Sequence, residues 1–131
     1  MPPVDRSGAT GYILYVEDNR KLSSLTAELL ETSGYRVKTA ATGTEALAHM
    51  DREPPALILM DLHLPGEMGG LEVYRKLQSK SSGKKIPFIV ITGFAGSDSY
   101  IPAHELGAKA YFTKPFDIER LRRKIREILR R

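Results

Sequence analysis

Residues 56–61 read ALILMD, an apolar run that closes in a single carboxylate, Asp61. An apolar side chain at every position is typical of a strand whose two faces are both covered. Three further runs also close in polar residues: Tyr12–Val16 before Glu17-Asp18, Phe88–Ile91 before Thr92, and Ala110–Thr113 before Lys114-Pro115. If the four runs are parallel strands, their polar end residues meet at one edge of one sheet.

The segments between the strands carry the apolar spacing of helices. The predicted strands are Tyr12–Val16, Tyr35–Ala40, Leu57–Met60, Ile86–Ile91 and Ala110–Phe112, and the predicted helices lie near residues 22–30, 44–50, 71–77, 103–106 and 118–129. Asp18 or Asn19 can cap the first helix, and Pro102 marks the first turn of the fourth. This alternation predicts an α/β fold, a doubly wound five-stranded parallel sheet with right-handed crossovers.

Length and composition indicate one domain. At 131 residues the chain can bury most of its apolar surface, and it contains no cysteine for disulfides or thiolate metal sites. Residues 1–11 are rich in Pro, Gly, Ser and Thr and predict a flexible N-terminal arm before a domain over 12–131. No apolar run approaches the ~20 residues that cross a bilayer, and the N-terminus lacks a signal peptide's apolar centre. We therefore expect a cytoplasmic protein with no membrane partner.

The basic residues are concentrated at one end of the chain. The net charge is +4, and residues 117–131, with seven Lys/Arg and three Asp/Glu, account for all of it. Such a run is usually a solvated helix face or a protein-docking surface. Nucleic acid is therefore not the expected partner.

Three carboxylates, a hydroxyl and an ammonium gather at the predicted edge. Oxygen ligands suit Mg²⁺, and a carboxylate can form a covalent aspartyl phosphate. Each residue also has a structural explanation: Glu17-Asp18 as an ordinary helix cap, Lys114 as a solvated loop lysine, and Thr92 as a strand-end hydroxyl bonded to backbone. Asp61 is harder to explain in this way, because an acid after buried strand residues needs a partner.

These residues resemble the receiver domain of bacterial two-component response regulators, including the single-domain chemotaxis regulator. The resemblance covers about residues 12–130. It rests on four motifs: Val16-Glu17-Asp18-Asn19, Met60-Asp61-Leu62-His63-Leu64-Pro65-Gly66, Ile91-Thr92-Gly93 and Lys114-Pro115-Phe116. Each motif is weak alone, whereas their order and their positions at strand ends are specific.

The resemblance implies a flavodoxin-like sheet of order 2-1-3-4-5 and a phosphorylation-dependent signalling switch that is not an enzyme acting on an external substrate. Asp61 would accept the phosphoryl group from the phosphohistidine of a histidine kinase or phosphotransfer protein. Asp18, Asp61 and the backbone carbonyl of His63 would bind Mg²⁺, with Glu17 bound directly or through water. Such a domain assists its own phosphorylation and dephosphorylation.

The resemblance also assigns roles around the phosphoryl group. Lys114 would contribute a cation, aimed by a cis peptide bond to Pro115. Thr92 would hydrogen-bond a phosphoryl oxygen and form a switch with Tyr111. The surface expected to respond comprises the fourth helix, the fifth strand and the fifth helix, including the basic residues Arg122, Arg123 and Arg126, and would dock a downstream protein.

The chain departs from the family pattern in the segment that follows Asp61. Residues 65–72, PGEMGGLE, hold one residue more than the commonest form and lack its acid before the glycine, which predicts a longer loop. His63 and Phe94 occupy the two positions at which the family tunes phosphoryl lifetime.

Three other functions compete with this interpretation. A haloacid-dehalogenase-type phosphatase would need a second Asp where this chain has His63. A nucleic-acid-binding protein would use the basic last helix. A receiver module of a hybrid kinase or a larger regulator would carry the same motifs, and the sequence does not separate it from a stand-alone regulator.

Overall fold

The computed structural model describes residues 11–64, 66, 68–80, 85–93 and 102–129. Five strands form one sheet: β1 (Ile13–Val16), β2 (Val37–Ala40), β3 (Leu57–Met60), β4 (Phe88–Thr92) and β5 (Ala110–Thr113). All neighbouring strands are parallel, and their order is β2-β1-β3-β4-β5. The predicted flavodoxin-like sheet is confirmed, and the strand ends differ from the predicted positions by at most two residues.

The helices follow the strands as the apolar spacing predicted. They are α1 (Arg20–Glu31), α2 (Gly43–Arg52), α3 (Gly70–Ser79), a single turn α4 (102–105) and α5 (Ile118–Leu129). Asn19, one of the two predicted caps, accepts a hydrogen bond from the Leu22 N–H at 3.1 Å. Gly34 and Gly107 follow α1 and α4 with φ of 96° and 94°, a conformation that glycine adopts at low cost.

Helices cover both faces of the sheet and give two cores. One face packs against α2, α3 and α4 and buries Tyr12, Met60 and Phe88, the last stacked on Tyr74 at 3.9 Å between ring centroids. The other face packs against α1 and α5 and buries Tyr15 and Leu59. Burial on both faces explains why β1 and β3 are apolar throughout and why β4 is apolar up to its last residue, Thr92.

Arg122 does not lie where the sequence analysis placed it. Its guanidinium donates to the Leu29 carbonyl oxygen at 2.8 Å and to the Thr32 hydroxyl at 3.1 Å, so it connects α5 to the end of α1. Consecutive helical residues point about 100° apart. Arg123, which lines a groove beside β5, therefore cannot share a face with Arg122.

Several predictions concern residues that the structure does not describe. The proposed arm over residues 1–11, apart from Gly11, and the residues Pro65, Glu67 and Phe94 lie outside the described residues. Within the described part of the chain, no helix combines the length and the apolar character needed to cross a membrane.

Candidate functional site

Backbone hydrogen bonds beyond the strand ends bring the predicted site residues together. The Glu17 N–H donates to the Ala40 carbonyl oxygen at 2.8 Å, and the Asp61 N–H donates to the Val16 carbonyl oxygen at 3.0 Å. The Lys114 N–H donates to the Thr92 carbonyl oxygen at 2.8 Å. The backbone hydrogen bonding between strands thus continues for one residue past β1, β3 and β5. It places the side chains of Glu17, Asp61 and Lys114 together at the carboxyl edge of the sheet.

Three carboxylates form a cluster at this edge. Oxygen atoms from Glu17, Asp18 and Asp61 all lie within 4.8 Å of one another. Glu17 is 1% exposed and Asp61 is 3% exposed, whereas Asp18 lies at the surface. Two buried carboxylates side by side are costly unless cations or hydrogen-bond donors compensate their charge.

Lys114 provides part of that compensation. Its Nζ lies 2.6 Å from Glu17 Oε1 and 3.0 Å from Asp61 Oδ2, and its side chain is 22% exposed. Burial alone would lower the pKa of Lys114, but hydrogen bonds to the two carboxylates outweigh burial and raise it. The ammonium therefore remains charged. The Lys114–Pro115 peptide bond is cis, as predicted. Lys114 is not a solvated loop lysine.

Hydrogen-bond donors hold the carboxylates in defined orientations. Glu17 Oε2 accepts from the Asn19 N–H at 3.0 Å, and Asp61 Oδ1 accepts from the His63 N–H at 3.0 Å. Burial raises the pKa of the Glu17 carboxyl, and the bonds to Lys114 and Asn19 offset only part of that effect. Because Asn19 caps α1, the capping explanation does not account for Glu17 and Asp18.

The donor set fits a hard divalent cation. Glu17, Asp18 and Asp61 with Lys114 carry a combined charge of −2 when all four are ionised, which a divalent ion would neutralise. Carboxylate oxygens are ligands that Mg²⁺ prefers. One oxygen from each of the three carboxylates lies within 4.8 Å of the others, so small side-chain movements would let all three bind one ion. The side chain of His63 is exposed, and the clustered oxygens come from Glu17, Asp18 and Asp61.

Thr92 and Tyr111, the predicted switch pair, lie on neighbouring strands. Thr92 is fully buried at the end of β4, and Tyr111 on β5 packs against the core beneath α2, α3 and α4. The register pairs Val90 with Tyr111, and Val90 belongs to the same core. Since alternate strand residues share a face, Thr92 lies on that face as well.

Two residues at the site escaped the sequence analysis. Tyr15 is fully buried, and its hydroxyl donates to Glu17 Oε1 at 3.4 Å. Burial, followed by the charges of Glu17 and Asp61, raises the pKa of Tyr15, so the hydroxyl keeps its proton and remains a donor. The sequence did contain a signal for this contact. Tyr15 and Glu17 are two residues apart at the end of β1, a spacing that places both side chains on the same face of the sheet.

Gly70 is the second missed residue. Its N–H donates to the Leu62 carbonyl oxygen at 3.1 Å, and a Cβ at this position would overlap the Asp61 carbonyl oxygen and lie 2.7 Å from the Leu62 Cα. The start of α3 is thus packed directly on the backbone that follows β3. Only the close approach of these two elements in space reveals this role.

Comparison with known proteins decides the family. The family model described as the response regulator receiver domain matches residues 13–126. The chain belongs to this family. Receiver domains are phosphoacceptor signalling domains of two-component systems, and the predicted resemblance is confirmed.

Named relatives and a solved structure agree with this assignment. The chain is 34% identical to sporulation initiation phosphotransferase F of Bacillus subtilis over 117 residues, which is 89% of this chain and 92% of that protein. It is 37% identical to the sensory transduction protein RegX3 of Mycobacterium tuberculosis over 119 residues, 91% of this chain but 51% of that protein. The chain therefore spans about half the length of several curated relatives.

A receiver domain from a Pseudomonas aeruginosa sensor histidine kinase has the same fold. It superposes with a TM-score of 0.79 at 30% identity, and the match covers 92% of this chain and 98% of that one. That structure holds a magnesium ion coordinated in its active-site cleft.

Proposed function

We propose that this receiver domain is a phosphorylation-dependent switch in which Asp61 accepts a phosphoryl group from the phosphohistidine of a histidine kinase or phosphotransfer protein. One observation carries the proposal. Asp61 is a buried carboxylate at the carboxyl edge of the sheet, beside two further carboxylates and bridged to one of them by Lys114. Ligands of doubly wound sheets bind at this edge.

Glu17, Asp18, Asp61 and the backbone carbonyl of His63 would hold Mg²⁺. The close carboxylate oxygens and the net negative charge of the cluster support this set, and so does the magnesium ion in the related histidine kinase receiver. When bound, the ion supplies positive charge that offsets the phosphoryl oxygens.

The side chains of the site account for the transfer. A carboxylate oxygen of Asp61 attacks phosphorus, the bond from phosphorus to the donor's imidazole nitrogen breaks, and its electron pair stays with the imidazole. Lys114, already at Asp61, provides a point cation for the phosphoryl oxygens. Thr92 would donate its hydroxyl to one of these oxygens, and the small residue Gly93 leaves room, since a Cβ there would meet nothing within 4 Å in the described structure.

Phosphorylation by acetyl phosphate tests the acceptor. Intact-mass measurement should show one phosphoryl group on the wild-type protein with MgCl₂, and none with EDTA or in Asp61→Asn. Asp51→Asn is the matched control, because Asp51 is an exposed carboxylate on α2 that pairs with Lys80. Modification of Asp61→Asn to the wild-type extent, or without metal, would reject the assignment.

We further propose that the phosphoryl group is sensed through Thr92 and Tyr111. A partner detects phosphorylation only if an element with two states of similar free energy responds. The common face of Thr92 and Tyr111 supports a coupled movement that reaches β5 and α4, and Tyr111 also lines a groove with Arg123 of α5. Amide chemical shifts on phosphorylation test it: Thr92→Ala and Tyr111→Ala should lose the shifts of β5 and α5. The coupling is absent if both variants respond as wild type does.

An apolar groove beside Lys114 supports docking of the phosphohistidine protein. The groove has a volume of about 180 Å³ and is lined by Leu22, Leu25, Leu29, Phe116 and Ile118. Leu25 is 54% exposed and is the only exposed large apolar side chain among the described residues. Leu25→Asp should slow phosphotransfer from a phosphohistidine protein while leaving acetyl phosphate labelling intact. Equal slowing with both donors would exclude a docking role.

The wider setting of the domain is also a proposal. The similarity to sporulation phosphotransferase F, which covers nearly the whole length of that protein, supports a stand-alone cytoplasmic regulator. The similarity to the receiver of a histidine kinase, and to about half of RegX3, supports a module of a hybrid kinase or a larger regulator. We propose that the domain acts only on its own Asp61, assisting phosphorylation and dephosphorylation. Nucleic-acid binding is not favoured, because Arg122 is engaged by α1.

A further inference from the structure

A buried tyrosine hydroxyl reaches the acidic cluster from the core. Tyr15 is fully buried between the sheet and the helices α1 and α5. Its hydroxyl donates to Glu17 Oε1 at 3.4 Å. Tyr15 therefore contacts the acidic cluster from within the fold and is not itself one of the clustered carboxylates.

Tyr15 is the most rigid side-chain donor to Glu17. Glu17 Oε1 accepts from Lys114 at 2.6 Å and from Tyr15, while Oε2 accepts from the Asn19 backbone. Lys114 has a flexible four-carbon stem and divides its ammonium between Glu17 and Asp61. The Tyr15 ring is enclosed by packed core residues, so its hydroxyl stays in place when Lys114 moves.

We propose that Tyr15 is a positioning residue that holds the Glu17 carboxylate in the orientation needed at the divalent cation site. The inference rests on the proposed function, because it takes Glu17 to be part of that site. Groups that orient metal-binding side chains change metal affinity by about 10- to 100-fold when removed. Since the bond from Tyr15 is long, we expect loss of its hydroxyl to weaken Mg²⁺ binding by about three- to tenfold, at or below the low end of that range.

Tyr15 on β1 and Tyr12, which directly precedes β1, give a matched experiment. Tyr15→Phe removes the hydroxyl and keeps the ring. Tyr12→Phe makes the same change in the same segment but on the opposite face, where the hydroxyl donates to the Glu53 carbonyl oxygen at 2.8 Å. Mg²⁺ affinity is measured on each full chain by titration with MgCl₂, followed by amide chemical shifts, and stability is measured by urea unfolding.

Both variants should lose stability, but only Tyr15→Phe should bind Mg²⁺ more weakly than wild type. Equal affinity of wild type and Tyr15→Phe, or equal weakening in Tyr12→Phe, would overturn the positioning role alone. A wild-type protein that does not bind Mg²⁺ would overturn the metal site and this inference with it.

Discussion

Replacing Gly70 by alanine tests how closely α3 is packed against the phosphoacceptor segment. The added Cβ would lie 2.7 Å from the Leu62 Cα and would overlap the Asp61 carbonyl oxygen. Carbon atoms in favourable contact are about 3.5–4.0 Å apart. One element must therefore shift by about 1 Å, and no side-chain rotation can avoid it because both contacts are with backbone.

The expected cost follows from this overlap. Overpacking of a tight contact costs about 1–3 kcal/mol, and a backbone clash belongs at the upper end. Alanine recovers at most about 1 kcal/mol through its helix propensity. A net loss of about 2 kcal/mol remains, which for a chain of this length lowers the melting temperature by about 7 °C.

The same shift should impair phosphorylation. A reacting group displaced by about 1 Å can lose up to about 100-fold in rate. Since the displaced backbone is that of Asp61 and Leu62, we expect Gly70→Ala to be phosphorylated by acetyl phosphate at least about tenfold more slowly, measured by intact mass at a temperature where it is folded.

Gly69→Ala is the control. A Cβ at Gly69 would lie 3.7 Å from the Leu62 carbonyl oxygen, an ordinary contact. Both changes restrict the unfolded chain equally, and only Gly70→Ala gains helix propensity, because Gly69 is the cap that precedes α3. A lower stability of Gly70→Ala than of Gly69→Ala therefore reports the overlap. If Gly70→Ala proved as stable and as quickly phosphorylated as Gly69→Ala, the packing argument would be refuted.

Three further predictions concern stability. Arg122→Leu should lower the free energy of unfolding, measured with urea, by about 1–3 kcal/mol, because the hydrogen bonds from Arg122 to the end of α1 are lost. Arg123→Leu should change the same free energy by less than about 0.5 kcal/mol. Equal losses in the two variants would contradict the contacts assigned to Arg122. Gly43→Ala should lower the free energy of unfolding by about 1–3 kcal/mol, because its Cβ would lie 2.7 Å from Val73 Cγ2 and a buried β-branched side chain on a helix has little freedom to rotate away; unchanged stability would contradict this packing. Burial, followed by the charge of a nearby glutamate, raises the pKa of Tyr12 from 10.0 to about 12, so its stabilising contribution is complete below pH 10 and disappears as pH rises to about 12. Stability is measured by urea unfolding between pH 10 and about 12, where that of Tyr12→Phe should fall less steeply than that of wild type. If the two plots of stability against pH ran parallel, the raised pKa of Tyr12 would be disproved.

Local patterns in the sequence predicted most of the fold. The apolar run 57–60 predicted a strand covered on both faces, and β3 has those bounds. The stripe of Ile118, Leu121 and Ile125 predicted α5, which buries the last two. These predictions hold because strand and helix periods are properties of neighbouring residues, and the burial they encode is the main driving force of folding.

The candidate site was predictable only in part. Polar residues at the ends of parallel strands must gather at one edge of the sheet. The grouping of Asp61 and Lys114 with the two acids after β1, Glu17 and Asp18, therefore followed once the strands were recognised. The sheet order and the residue roles came from the family resemblance. Arg122 was misplaced because a charge count does not record the angle at which each residue leaves a helix.

The sequence by itself determined the alternation of strands and helices, the two-sided burial of the sheet and the kinds of polar group at its edge, since each depends on spacing along the chain. Tertiary structure alone decided which groups touch. Lys114 reaches Asp61 across 53 residues, Arg122 reaches Leu29 across 93, and Gly70 meets the backbone of Leu62. Such contacts depend on how whole elements pack and on which rotamer each side chain can adopt in that packing, and no short-range pattern encodes either.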